Sequence, residues 1–396
     1  MAGKGERTCV VFGAGALGLG FLGPELGRDY RMVYVDIPAK AEFLDYLSAA
    51  KQYTYNQTGQ SARAVVVSGV RGVSTADEAQ VQDALGDAAL VFTAVGEPNL
   101  PRVAPVLARA AELRDEQRPL RILCCENGLE IAAKLRRHIE SALEKDAGGR
   151  LVTADTVMGR MCKVVSPPDD GLVPVGPGFD WAVAAEPFFG IPVPRSALKG
   201  LRRPGAAFQP MSDAAFAARE DVKMCAHNGL HAFLALVGLF EGKSYFCELR
   251  DDSRALSMAY TLLMDEVGQA LFRKHGRALD RNYYLNYATT ILRRTTCPGF
   301  HDTVARGTRG LMTKLEPWER LVSGVRLIAA QGIVPEVYAT ALAAAIMVAR
   351  KTGQTSLSFR EVLTRHCGLS EKDEAALIEL AESRRRWLEQ EFPAAR

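Results

Sequence analysis

The sequence contains no apolar run of the roughly 18 residues that a membrane-spanning helix requires. Its start, MAGKGERTCVVFGAG, goes from a basic beginning straight into a strand-like run and a glycine turn, with no small-residue cleavage site of a signal peptide. No C-x-x-C pair occurs among the eight cysteines, which are scattered at Cys9, Cys124, Cys125, Cys162, Cys225, Cys247, Cys297 and Cys367. That spacing argues against zinc ribbons and thiol redox motifs. An excess of one charge is also lacking: 49 basic residues face 46 acidic ones, for a net charge of +3. With no basic block and no interleaving of basic and aromatic residues, a nucleic-acid partner is not expected. There is no internal repeat and no low-complexity segment. These absences predict buried, reduced thiols in a cytoplasmic protein with no membrane partner. The number of subunits stays open, monomer or dimer.

At 396 residues the chain is too long for one ordinary core, and two domains are expected. In the first half, short apolar runs (TCVVF, RMVYVD, ARAVVV, AALVFTAV, RILCCEN) alternate with stretches of helical periodicity such as PNLPRVAPVLARAAEL. Buried strands alternating with helices predict a doubly wound parallel sheet of Rossmann type over residues 1–200. The proline- and glycine-rich stretch GIPVPRSALKGLRRPGAAFQP reads as a connection. Beyond it, over residues 201–396, long periodic stretches punctuated by Pro298, Pro317 and Pro335 predict a mainly α-helical domain. The fold class is therefore α/β followed by α. An active site in such a chain is expected in the cleft between the two domains.

The first turn, FGAGALGLG, carries Gly13-x-Gly15-x-x-Gly18 with Ala16 and Leu17 between the glycines. It follows a strand and opens a helix, so its backbone can approach a pyrophosphate while the helix N-terminus faces the phosphates. The next strand ends in Asp36, near the spacing at which an acid binds the adenosine ribose hydroxyls and repels a 2′-phosphate. The expected cofactor is NAD rather than NADP. A glycine turn in an unrelated α/β fold is the rival reading. Pro24 falls inside the proposed helix and predicts that it is bent or short there.

DVKMCAHNGLH, from Asp221 to His231, places a lysine, an asparagine and a histidine in an apolar stretch. At about 100° per residue, with Lys223 at zero, His231 falls near 80° and Asn228 near 140°. A solvated helix face would explain the stripe. So would a hydride-transfer site, which needs a base for the hydroxyl proton, an amide donor for the developing alkoxide and a group to orient the hydroxyl. His227 and His231 stand at i and i+4, a spacing that can hold zinc, but the glutamate of H-E-x-x-H and a third ligand are missing. No metal site is expected.

Lys223-x4-Asn228-x2-His231 resembles the signature of the polyol-specific long-chain dehydrogenases, the mannitol dehydrogenase family. VVFGAGALGLGFLGPEL, CCENGLEIAAKLRRHI, DTVARGTRGLMTKL and ERLVSGVRLIAAQGIVPEVYATALAAAIM resemble other segments of that family, so the likeness runs along the chain. The resemblance implies a zinc-independent, NAD-linked enzyme that interconverts a polyol and its ketose. It implies Lys223 as general base, Asn127 and Asn228 as the amide pair on the oxyanion, and His231 as a substrate-orienting residue. Arg306 and Lys314 occupy positions that bind substrate in relatives. Arg309 is added as a phosphate ligand on chemical grounds, its fork suiting phosphate, with a surface arginine as the rival reading. The chain length resembles that of members acting on mannitol 1-phosphate and fructose 6-phosphate. One departure is Gly159 in TVMGRMCKVV, where relatives carry an acid that contacts substrate; Asp155 and Glu186 are the candidate replacements. Free-polyol or sugar-acid (hexuronate) dehydrogenases of the same family remain alternatives. So do phosphogluconate-type, hydroxyacyl-CoA and opine dehydrogenases, and a non-catalytic dinucleotide-binding protein.

Overall fold

The computed structural model describes residues 7–59, 62–168, 171–187 and 190–393. The chain divides into two compact units between Phe216 and Ala217.

In the first unit, six strands form one wholly parallel sheet. Their spatial order is Val70–Ser74, Arg31–Asp36, Thr8–Phe12, Ala88–Thr93, Leu120–Cys124 and Leu151–Asp155. The order reverses at Thr8–Phe12, so the carboxyl end of that strand is a topological switch point, where open α/β sheets bind ligands. Alternate residues of each strand bury on opposite faces. Val10, Phe12, Val33, Val35, Val91 and Ile122 enter one core, and Cys9, Val11, Met32, Tyr34, Phe92 and Leu123 enter the other. Burial on both faces explains why the strands read as continuous apolar runs.

One strand is not where its sequence suggested. ARAVVV lies in Arg63–Ser68, which pairs antiparallel with Gln52–Gln57 in a separate four-stranded sheet. Its residues are mostly exposed, with Val66 56% exposed, as befits an edge strand. The place in the parallel sheet goes to Val70–Ser74.

Pro24 neither ends the first helix nor leaves it α-helical. The helix widens into a π turn over Gly18–Leu22, closed by the Gly23 N–H on the Gly18 carbonyl. The Gly20 carbonyl, four residues before Pro24, lacks the N–H an ordinary residue there would offer. The buried guanidinium of Arg160 donates to it at 3.0 Å and pairs with Glu25.

The second unit is helical. Its long elements include Arg281–Thr295, Arg320–Ala330, Glu336–Lys351 and Ala375–Glu391. The 28-residue helix Asp213–Phe240 is long and apolar enough to cross a membrane, but 78% of its most apolar window is buried within the protein, as in a core helix. Pro298 opens the short turn Pro298–Phe300, and Pro335 caps Glu336–Lys351, so both prolines punctuate as expected.

Candidate active site

Gly13 stands at φ +108°, a conformation side chains rarely adopt, and its N–H donates to the Val35 carbonyl at 2.8 Å. A Cβ on Gly18 would overlap the Gly13 carbonyl, so this glycine lets the helix start against the turn. Gly15 differs: a Cβ there would meet nothing within 4 Å. The first helical bond runs from the Leu19 N–H to the Gly15 carbonyl at 2.9 Å, so the N–H groups of Ala16, Leu17 and Gly18 belong to the open first turn. These features fit a dinucleotide pyrophosphate.

Asp36 ends its strand as expected, but its carboxylate also braces the turn. Oδ2 accepts from the Ala14 N–H at 2.7 Å and from Lys40 Nζ at 2.9 Å, and Oδ1 accepts from the Ile37 N–H at 2.8 Å. A carboxylate has about four acceptor sites, so room for a ribose hydroxyl is left.

Asn127 lies exposed in the loop after Leu120–Cys124. Its neighbour Glu126 fixes that loop, accepting from the Thr93 hydroxyl at 2.7 Å and the Val95 N–H at 3.0 Å. Burial pushes the Glu126 carboxyl up against these bonds. The two candidate replacements for the acid missing at Gly159 have structural tasks. Asp155 accepts from the Ala132 N–H at 2.8 Å at the start of Ile131–Leu143, and burial pushes its carboxyl up to about 6. Glu186 accepts from the Met161 N–H at 2.7 Å.

In the second unit, the stripe that raised the question is not α-helical. Asp213–Phe240 widens into a π turn over Val222–Asn228. A turn closed i→i+5 holds more residues than an α turn and narrows the angle between residues five apart, so the 100° wheel misplaces Asn228 and the turn draws it toward Lys223. Lys223 Nζ donates to Asn228 Oδ1 at 3.0 Å. The amide oxygen is thereby engaged, and the NH2 is turned away from the amine as a donor.

His231 is turned by a residue that sequence reasoning missed. Its Nε2 lies 3.0 Å from Asp302 Oδ2, across 71 residues of chain. Burial drives the His231 imidazole down, against the pull of Asp302, and keeps it neutral. Burial also opposes ionisation of Asp302, but hydrogen bonds from His231 and Arg306 outweigh it and hold that carboxyl well below its usual range. Nε2 therefore carries the proton and Nδ1 is the acceptor. Arg306 forks onto the same carboxylate, through Nε at 2.6 Å and through Nη2. Two of its five donors are thus engaged. The spacing Asp302-x3-Arg306, one helical turn, is the signal that could have singled out Asp302.

His227 is buried, with Nδ1 2.8 Å from the Tyr287 hydroxyl. Burial first, then the charge of Lys223 and Arg294, drives its imidazole far down. The two histidines thus serve different partners, and among the described residues no group of three His, Cys, Asp or Glu could hold a metal ion. Arg309 is exposed, and its carbonyl accepts from Lys314 Nζ. Burial first, then repulsion by Arg320, pulls the Lys314 ammonium down to about 8. Arg294 and Arg320 belong to this basic surround although sequence reasoning did not single them out.

The description "mannitol dehydrogenase Rossmann domain" matches residues 7–197, and "mannitol dehydrogenase C-terminal domain" matches residues 216–389. A mannitol-1-phosphate 5-dehydrogenase of Shouchella clausii is 31% identical over 345 residues, which cover 83% of this chain and 84% of that protein. Its counterpart in Paenarthrobacter aurescens is 29% identical over 376 residues, 93% of this chain and 92% of that one. Among solved structures, a Pseudomonas fluorescens mannitol 2-dehydrogenase in ternary complex with NAD and D-mannitol superposes with a TM-score of 0.74 at 14% identity, covering 97% of this chain and 92% of that one. With both domains matched along most of its length, the chain belongs to the mannitol dehydrogenase family.

Proposed function

We propose that the protein is an NAD-dependent dehydrogenase interconverting a phosphorylated polyol and its ketose, with mannitol 1-phosphate and fructose 6-phosphate as the pair. The observation that carries this reading is the Lys223–Asn228 contact at 3.0 Å inside the π turn, with His231, bonded to Asp302, three residues further on. A bound NAD would supply the hydride acceptor for polyol oxidation, and NADH the hydride donor for ketose reduction. Lys223 takes the hydroxyl proton as oxidation proceeds and returns it in the reverse direction. The Asn228 NH2, with Asn127 as the second amide, donates to the oxygen on which charge develops. His231 Nδ1 accepts from a neighbouring substrate hydroxyl. Gly13, Gly15, Ala16, Leu17 and Gly18 would hold the pyrophosphate, and Asp36 the ribose.

The phosphate is assigned to Arg306, Arg309 and Lys314. Arg306 comes to it already oriented by Asp302, which fixes the guanidinium plane. Activation rests on the lysine amine, with no part for a metal. The curated relatives in Shouchella clausii and Paenarthrobacter aurescens carry the same substrate in their names.

Gly159 favours a second reading. Asp155 and Glu186 each have one oxygen bonded to a backbone N–H, which ties them to structural tasks rather than to the polyol. Such a chain suits another anionic substrate, a sugar acid of the hexuronate type. Steady-state rates with NADH and fructose 6-phosphate, fructose or a hexuronate decide between them. Much higher kcat/KM for fructose 6-phosphate supports the phosphate reading. Comparable values for fructose 6-phosphate and fructose reject it, and preference for the hexuronate establishes the second.

A further inference from the structure

A π turn leaves the helix with mismatched backbone groups, and something must satisfy them. In an α-helix the Gly229 N–H would bond the Cys225 carbonyl. Here it bonds the carbonyls of Met224 and Ala226. The Cys225 carbonyl instead accepts from the buried hydroxyl of Tyr338 at 3.2 Å. The same hydroxyl donates to the Arg320 carbonyl at 2.9 Å, at the start of Arg320–Ala330, so its one proton is shared between the two carbonyls and ties the turn to that helix.

The surroundings are shaped to keep it there. A Cβ on Gly229 would overlap the Tyr338 hydroxyl, and a Cβ on Gly324 would overlap its ring. Both positions are glycine in the middle of helical segments, where glycine costs about 1 kcal/mol relative to alanine. The backbone of Tyr338 is pinned in turn: the buried carboxylate of Glu266 accepts from the N–H groups of Val337 and Tyr338 at 2.6 and 3.0 Å.

We propose that Tyr338 is a positioning residue for the reaction: its hydroxyl, by taking the Cys225 carbonyl, holds the π turn that sets Lys223 against Asn228. This rests on the reading of Lys223 as the base. Tyr338 itself touches neither of those side chains through any bond described. It acts through the backbone between them. Without the hydroxyl, the helix gains by restoring the Gly229-to-Cys225 bond, and Asn228 then swings away from Lys223.

The test is Tyr338→Phe in the full chain, which keeps the ring and its packing. The expected result is a fall in kcat of about tenfold or more, with the Kd for NADH within about twofold of wild type. The pH midpoint of polyol oxidation is expected to move down by about half a unit, because Asn228 no longer favours the protonated amine. Acetylation of Lys223 by acetic anhydride at graded pH, followed by mass spectrometry, reads the same amine without any substrate and is expected to shift the same way. Gly324→Ala displaces the ring from the opposite helix and is expected to reproduce these changes; it replaces Tyr338→Phe if that variant does not fold. A lower Tm with wild-type kcat and unchanged pH profiles would show a merely structural role and overturn the proposal. Lys223→Ala in the same assay separates the two ideas. If it retains turnover, the base assignment falls; if it is inactive while Tyr338→Phe behaves as wild type, the Tyr338 proposal alone falls.

Discussion

Lys223 and Asn228 stand five residues apart on one helix, and their side chains meet at 3.0 Å because the helix makes a π turn between them. An α-helix would carry Asn228 well around the barrel from Lys223. The widened turn fixes the direction of the amine and of the amide relative to each other, as preorganised catalytic groups require.

Asp302 should matter as much as the residues it orients. Asp302→Asn replaces the acceptor of both His231 and Arg306 by an amide, and the His231 tautomer is no longer dictated. A fall in kcat/KM of about one to two orders of magnitude is expected. Asp302→Ala additionally removes a buried carboxylate whose partner Arg306 is partly exposed, and is expected to lower stability in urea unfolding. Full activity in Asp302→Asn would show that His231 needs no partner.

Asp36→Ala should weaken NADH binding much more than NADPH binding and so relax the preference for NAD. Because Asp36 also holds the Ala14 N–H and Lys40, some loss with both cofactors is expected. Fluorescence titration with each dinucleotide measures it. Equal affinities in the unmodified protein would remove Asp36 as the discriminating group.

Lys314 predicts a pH dependence in substrate binding. Its ammonium, pulled down to about 8 by burial and then by Arg320, is charged below that pH and neutral above it. A phosphate dianion is held by the charged form, so KM for fructose 6-phosphate should rise as pH passes about 8. Lys314→Met should raise KM about five- to tenfold at pH 7, the loss of one charge-assisted bond, and abolish the rise. A KM that stays flat in the wild type would free Lys314 from phosphate binding.

Much of this was legible in the sequence, for identifiable reasons. The parallel sheet announced itself through strands buried on both faces, and Gly13 and Gly18 through backbone approaches only glycine allows. Arg63–Ser68 was misplaced because an edge strand of valines looks like a buried one when partners are unknown. Pro24 signalled a disturbed helix, but the remedy, a π turn with Arg160 on the Gly20 carbonyl, depends on a residue far along the chain. The same limit hid Asp302. Residue types and spacing singled out Lys223, Asn228 and His231 as candidates, while the partners that orient them come from distant segments and from a turn that periodicity cannot anticipate.

Turnover should be indifferent to chelators. In the proposed mechanism the amine of Lys223 would take the place a metal-bound hydroxide fills in metal-dependent dehydrogenases. Dialysis against a strong chelator is expected to leave kcat unchanged, and stoichiometric zinc whose removal abolishes activity would contradict the mechanism.

The central claim is that Lys223 is the acid–base group. The most direct measurement is the pH–rate profile of polyol oxidation for wild type and Lys223→Ala, with NADH affinity measured alongside. The account predicts a kcat lower by about two to four orders of magnitude, loss of the rise toward alkaline pH, and little change in NADH binding. Near-wild-type turnover with the same pH profile would contradict it and leave Lys223 and Asn228 a structural pair within a buried helix.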